Sequence, residues 1–173
     1  MKPAMDPRRA RSAGLAASAV LLTGGLLAAT APSVAAAPAK YTHAAAAQQL
    51  RQAGIGWTSS GGCSNRNNSR CTSFDRINQT TVSGVIAFKR ASGCPVTLTG
   101  GTETGHAAGT YSHWNGYKVD IKVTSCVDTY VTTKLRYVGP RAGDHAKQYK
   151  SPAGNVYARE GSHWDVTYFN GNR

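Results

Sequence analysis

Hydrophobic and polar positions alternate most clearly in "YKVDIKV", where Tyr117, Val119, Ile121 and Val123 are set against Lys118, Asp120 and Lys122. A period of two predicts a strand with one buried and one polar face, and Asp120 falls on the polar one. In the tail, "NVYAREGSHWDVTYF" predicts a hairpin, with Val156 to Arg159 and Trp164 to Phe169 on either side of a bend at Glu160-Gly161-Ser162-His163. "CPVTLTGG", in which Val96 and Leu98 alternate with threonines, predicts a strand that ends in paired glycines.

Helical spacing is weaker. "THAAAAQQLRQAGI" predicts a short helix with Thr42 as N-cap and Gly54 as its stop. A second helix is expected from about Thr81 to Ala91, where Val82, Val85, Ile86 and Lys89 share a face and Gly93 follows; Gly84 counts against it. "TSCVDTYVTTKLRY" fits a helix by the spacing of Val127, Tyr130, Val131 and Leu135, and a strand by its β-branched content. Residues 59–70 are mostly Gly, Ser and Asn and read as loop, and 139–154 are mostly turn residues and lysine. No internal repeat is present. The elements together predict an α+β fold, a small mostly antiparallel sheet flanked by helices.

The first 37 residues stand apart. Arg8, Arg9 and Arg11 precede an apolar run from Leu15 to Ala29, and "SVAAA" from Ser33 to Ala37 offers small residues for cleavage, the layout of a secretory signal peptide. The apolar run is shorter than the ~20 residues a membrane span needs and is broken by Gly24 and Gly25. The Arg8-Arg9 pair fits twin-arginine export only weakly. The expected organisation is a leader over 1–37 and one domain over 38–173, of a length that supports a single core. A secreted protein, extracellular or in the cell wall, follows.

The formal charge of the whole chain is +12. Without Lys2, Arg8, Arg9, Arg11 and Asp6, 16 basic and 7 acidic side chains remain, about +9. Outside a cell such a surplus favours anionic wall polymers, lipid headgroups or stray nucleic acid. The basic residues are scattered and not interleaved with aromatics, so no specific nucleic-acid partner is expected. Export also decides the cysteines. Cys63, Cys71, Cys94 and Cys126 are even in number and lack the spacing of a thiolate zinc site, so two disulfides are expected. Of three connectivities, Cys63 with Cys71 and Cys94 with Cys126 is preferred. The Asn-x-Ser at Asn67 and Asn-x-Thr at Asn78 are glycosylation acceptors only in a host that glycosylates them.

Acidic residues are scarce, which makes two pairings stand out. His113 and Asp120 bracket a turn through Gly116, and Glu160 and His163 sit at the bend of the predicted hairpin. Two imidazoles and one carboxylate leave a fourth position open on zinc, as catalytic sites require, and the remaining Glu can then serve as base toward the attacking water. Spacing alone fits a plain His113–Asp120 hydrogen bond equally well. His43 and His145 read as surface residues, and His106, in "GGTETGHAAG", as a substrate contact or a loop residue.

From about Thr42 to Phe169 the chain resembles the zinc D-alanyl-D-alanine carboxypeptidase family, which includes L-alanyl-D-glutamate endopeptidases and phage lysins. "VTLTGGTETG" is similar to the family's strand with its Gly-Gly turn, "SHWNGYKVD" to its His-x-x-Gly-x-x-x-Asp metal motif, and "EGSHWD" to its Glu-x-x-His. The resemblance implies Zn2+ held by His113, Asp120 and His163, with Glu160 as general base, and peptidoglycan stem peptides as substrate. Two departures matter. Lys118 stands where the family often has Ala, and the Arg that commonly follows the first turn is missing. His106 or Lys118 would then supply the positive donor that an oxyanion needs besides the metal.

The expectation is a secreted, monomeric zinc metallopeptidase acting on peptidoglycan, as a carboxypeptidase or an endopeptidase. The alternative is a catalytically silent cell-wall-binding protein of the same fold. A secreted nuclease has the charge but lacks a recognisable His and Asn arrangement.

Overall fold

Along the chain run α1 (His43–Gln52), β1 (Gly56–Trp57), α2 (Gln79–Ser92), β2 (Thr97–Gly100), β3 (Lys118–Lys122), α3 (Ser125–Lys134), β4 (Arg136–Pro140), β5 (Lys147–Lys150), β6 (Val156–Arg159) and β7 (His163–Thr167). The computed structural model describes residues 37–169, so the expected leader lies outside the described residues except for Ala37. Among the described residues no helix is long and apolar enough to cross a membrane. The strands form a seven-stranded sheet in the order β1-β2-β3-β7-β6-β5-β4, antiparallel except for the β1–β2 pair. This is the α+β architecture that the alternation predicts.

One face of the sheet carries the core. Val119 and Ile121 of β3, Trp164 and Val166 of β7 and Tyr157 of β6 pack with Leu50 of α1, Val82, Val85 and Phe88 of α2, and Val127 and Val131 of α3. The helices form because their apolar residues recur every three or four positions, and side-chain caps close the starts of α1 and α3. The Thr42 hydroxyl accepts the Ala45 N–H at 3.3 Å, and α2 stops at Gly93, whose φ of 66° suits glycine. Gly84 stays in α2 for a steric reason: a Cβ there would come within 2.6 Å of the buried Tyr168 ring.

Three expectations need correction. The ambiguous segment is both things at once, α3 up to Lys134 and then β4, with Leu135 already extended between them. The stretch after Gly139 holds a strand, β5, paired with β4 and β6. His43 is a surface residue only in part: it is half-buried, stacks on Phe74 with ring centroids 5.3 Å apart, and its Nδ1 accepts the Phe74 N–H at 3.0 Å. His145 is exposed as expected.

Both disulfides have the preferred connectivity, Cys63–Cys71 and Cys94–Cys126. The second ties the segment before β2 to the first turn of α3. The first closes a polar loop that packs against the segment between β2 and β3. From that loop Arg66 donates to the Thr102 carbonyl at 3.1 Å and to the Trp114 carbonyl, with its guanidinium over the Trp114 ring.

The face opposite the helices is polar and organised in cross-strand rows. One row runs Gly100, Asp120, Asp165, Ala158, Gln148 across β2, β3, β7, β6 and β5. The next, two residues along, runs Lys118, Thr167, Val156, Lys150, Arg136 across β3, β7, β6, β5 and β4. Residues two apart share a face of a strand, so both rows point the same way.

Candidate metal centre

Asp120 sits in the middle of β3, opposite Gly100 on one side and Asp165 on the other. Both carboxylates are buried, at 4 % and 6 % exposure, under the loops that precede β3 and follow β4. A polar strand face has thus become an interior. The space for Asp120 exists because residue 100 is glycine: a Cβ there would lie 3.0 Å from Asp120 Cγ and closer still to Oδ2.

His113 reaches this point from the loop before β3. Gly116, at φ 80°, turns the chain against the backbone of Arg76, and a Cβ there would meet that carbonyl at 2.6 Å. The His113 Nδ1 is 2.6 Å from the Gly101 carbonyl. A carbonyl only accepts, so Nδ1 carries a proton and Nε2 is the nitrogen left for a ligand. That Nε2 faces Asp120 Oδ1 at 3.4 Å and Asp165 Oδ1 at 3.6 Å. Neither oxygen has a hydrogen-bond partner although both are buried.

The hairpin bend contributes the second pair. His163, the first residue of β7, brings Nε2 to 3.6 Å from the same Asp120 Oδ1 and to 3.2 Å from Glu160 Oε2. His106 approaches from the other side. Its ring stacks on that of His113 at 3.8 Å between centroids, its Nε2 is 3.2 Å from Glu103 Oε1, and its Nδ1 is 3.9 Å from Asp120 Oδ2. Glu103 anchors this arrangement from below. It is buried and accepts the backbone N–H of Ser73 at 2.7 Å and of Gly101 at 3.0 Å.

Two cations border the carboxylates. Lys118 donates to Asp165 Oδ2 at 2.6 Å, and Arg141 donates to the same oxygen at 2.7 Å while also bonding Asp144 and Glu160. Burial works against the Asp165 charge, but the His113 imidazole and the Lys118 ammonium outweigh it and hold Asp165 well below the usual carboxylate range. Burial likewise works against a charged His113, yet Asp120 and Asp165 outweigh it and raise its pKa to about 9. For Glu103, burial is again opposed and overcome, by the His106 bond and backbone N–H groups, so its pKa is lowered. The His113 and Asp165 shifts say that this centre favours a positive charge between Asp120 and Asp165.

His106, His113 and Asp120 offer ligand atoms that all lie within 4.8 Å of one another, so this group could hold a metal ion. The residues singled out from the sequence share one recess of ≈ 550 Å³: His106, His113, Lys118, Asp120, Glu160 and His163 all line it. Three charged lining residues escape the sequence reading, Asp165, Arg141 and the Asp144 that pairs with it. Asp165 carries a detectable signal, an acidic residue in an otherwise apolar alternation two positions after His163. Arg141 carries none, because it arrives through the β4–β5 turn.

Comparison with family models, with curated proteins and with solved structures finds no match for this chain. The functional reading therefore rests on the residues and their geometry.

Proposed function

We propose that the protein is a zinc-dependent peptidase that cleaves peptide bonds in cell-wall peptidoglycan, with His113, Asp120 and His163 as metal ligands and Glu160 as general base. The observation that carries the reading is the buried Asp120 Oδ1, which lacks a hydrogen bond and faces two imidazole nitrogens at 3.4 and 3.6 Å. Ligand atoms about 2.0–2.2 Å from a tetrahedral zinc lie about 3.3–3.6 Å from one another, which the two separations from Asp120 match, although the group whose ligand atoms all lie within 4.8 Å has His106 and not His163 beside His113 and Asp120. His106 competes for the role of second imidazole. Its ring lies nearly parallel to that of His113, 14° apart, and it faces Oδ2 instead; stacked rings direct their lone pairs side by side, whereas His113 and His163 face the same oxygen.

When bound, the zinc would supply Lewis-acid polarisation of the scissile carbonyl and of the attacking water. Glu160 takes the water proton and returns it to the leaving amine, so that the C–N bond breaks to give a carboxylic acid and an amine. The Gly101 carbonyl fixes the His113 tautomer, which keeps Nε2 directed at the ion. Lys118 and Arg141 are both held by Asp165, and Arg141, which also pairs with the proposed base Glu160, is the cation we assign to receive negative charge developing on a substrate oxygen. It takes over a role that the sequence suggested for His106 or Lys118. The disulfides and the basic balance fit a protein exported to an anionic wall.

A silent wall-binding protein is the second reading, and what favours it is the ion pair between Arg141 and Glu160, which must open before Glu160 can accept a proton. Zinc-loaded protein incubated with purified peptidoglycan, with release of free amino groups measured, separates the two. The peptidase reading expects release that a chelator stops and that Glu160→Gln abolishes with zinc retained. Salt-sensitive wall binding without any release would overturn it.

A further inference from the structure

Beside the metal centre the open face holds a second recess, of ≈ 490 Å³, and Lys118 lines both. Among the described residues its lining includes Lys118, Arg136 and Lys150 and no carboxylate. Its floor is the row Thr167 and Val156, both buried. Lys150 and Arg136 are direct cross-strand partners on β5 and β4. Like charges in that relation destabilise a sheet unless something balances them. The other cationic pair on neighbouring strands, Lys147 and Arg159, is balanced, because Asp128 lies 3.0 Å from Arg159. Among the described residues no carboxylate pairs with Arg136 or Lys150. Protection of the β4 edge accounts for a charge on Arg136 but not for Lys150, which is on an inner strand.

We propose that Arg136 and Lys150 form a subsite for a carboxylate on the peptide substrate, remote from the bond being cleaved. The proposal rests on the peptidase reading and names what that site would select. The cationic row lies about 7 Å along the strands from the Asp120–Asp165 row, and Lys150 is two strand spacings, about 10 Å, from β7. An extended peptide advances about 3.3–3.6 Å per residue, so the recognised carboxylate is about three to five residues from the scissile bond. Charge complementarity selects an acidic peptide, because the described residues of the recess include cations and no acid.

The test uses zinc-loaded full-length protein and two synthetic peptides, one with a free carboxylate about four residues from the scissile bond and one with that carboxylate amidated. The protein as it stands should show a KM about tenfold lower for the acidic peptide, which two partly exposed charge pairs can supply. The double variant Arg136→Gln, Lys150→Gln should lose that advantage while kcat and the KM of the amidated peptide stay unchanged. Equal KM values for the two peptides, or an advantage that survives in the double variant, would overturn the subsite. If neither peptide is cleaved, the peptidase reading fails, and fluorescence anisotropy of the same labelled peptides still decides the subsite. Tighter binding of the acidic peptide, lost in the double variant, supports it; tighter binding of a glycerol-phosphate oligomer than of the acidic peptide overturns it.

Discussion

Gly100→Ala tests the metal-ligand role of Asp120 by displacing its carboxylate without replacing any ligand. The added Cβ would sit 3.0 Å from Asp120 Cγ and closer to Oδ2, whereas unstrained carbon contacts lie at about 3.5–4.0 Å. The carboxylate must therefore move by about 0.5–1 Å. Metal–ligand distances hold to about 0.2 Å, so a displacement of this size exceeds what coordination absorbs. By analogy with changes that disturb ligand orientation, zinc affinity should fall about 10- to 100-fold, or about 1.4–2.7 kcal/mol. Overpacking should also cost about 1–3 kcal/mol of stability, because Asp120 is buried and cannot swing into solvent. Competition with a chromophoric chelator measures the first quantity and urea denaturation the second. Gly56→Ala, on β1 with no atom within 4 Å of its Cβ, is the matched control and should change zinc affinity little. A Gly100→Ala protein that is destabilised but binds zinc as tightly as the unaltered chain would refute the reasoning, since Asp120 would then have moved without consequence for the ion.

Other outcomes follow from the same structure. Replacing Cys94 and Cys126 together by Ser opens a link of sequence separation 32, and the chain-entropy model gives a loss of about 3.7 kcal/mol, measurable as a lowered denaturation midpoint. Gly84→Ala should destabilise by about 1–3 kcal/mol despite the better helix propensity of Ala, because its Cβ would strike the buried Tyr168 ring; a rise in Tm would contradict this packing. Arg141→Met should lower kcat on a wall peptide by about tenfold or more while zinc content is unchanged, and unaltered kcat would remove Arg141 from the proposed chemistry. Glu103→Ala leaves two buried backbone N–H groups, of Ser73 and Gly101, without their acceptor, and thermal melts should report a loss of about 3 kcal/mol.

What the sequence made legible follows from how local each signal is. β3 and the β6–β7 hairpin alternate cleanly because one face is core and the other polar, and these elements hold Asp120, Glu160 and His163. β5 escaped because "KQYK" has a single apolar residue, Tyr149, and draws its stability from pairing on both sides. The α3–β4 segment looked ambiguous because two states share it, with Val127 and Val131 facing the core before the chain extends to an exposed edge. The same limit applies to the centre. His113 was legible through its spacing to Gly116 and Asp120, but its Gly101 partner and the facing Asp165 depend on strand register, which no local pattern encodes. Arg141 enters from a turn, and His43, which reads as a helix-start surface residue, is fixed by its stacking on the distant Phe74.

The most direct test of the account is the zinc content of the purified protein, measured after zinc supplementation and removal of excess metal, beside His163→Ala and His106→Ala. The account predicts about one zinc per chain, lost with His163→Ala and kept with His106→Ala. Absence of bound zinc, or a site that survives loss of His163 but not of His106, would contradict the proposed ligand set and with it the catalytic arrangement built on Glu160.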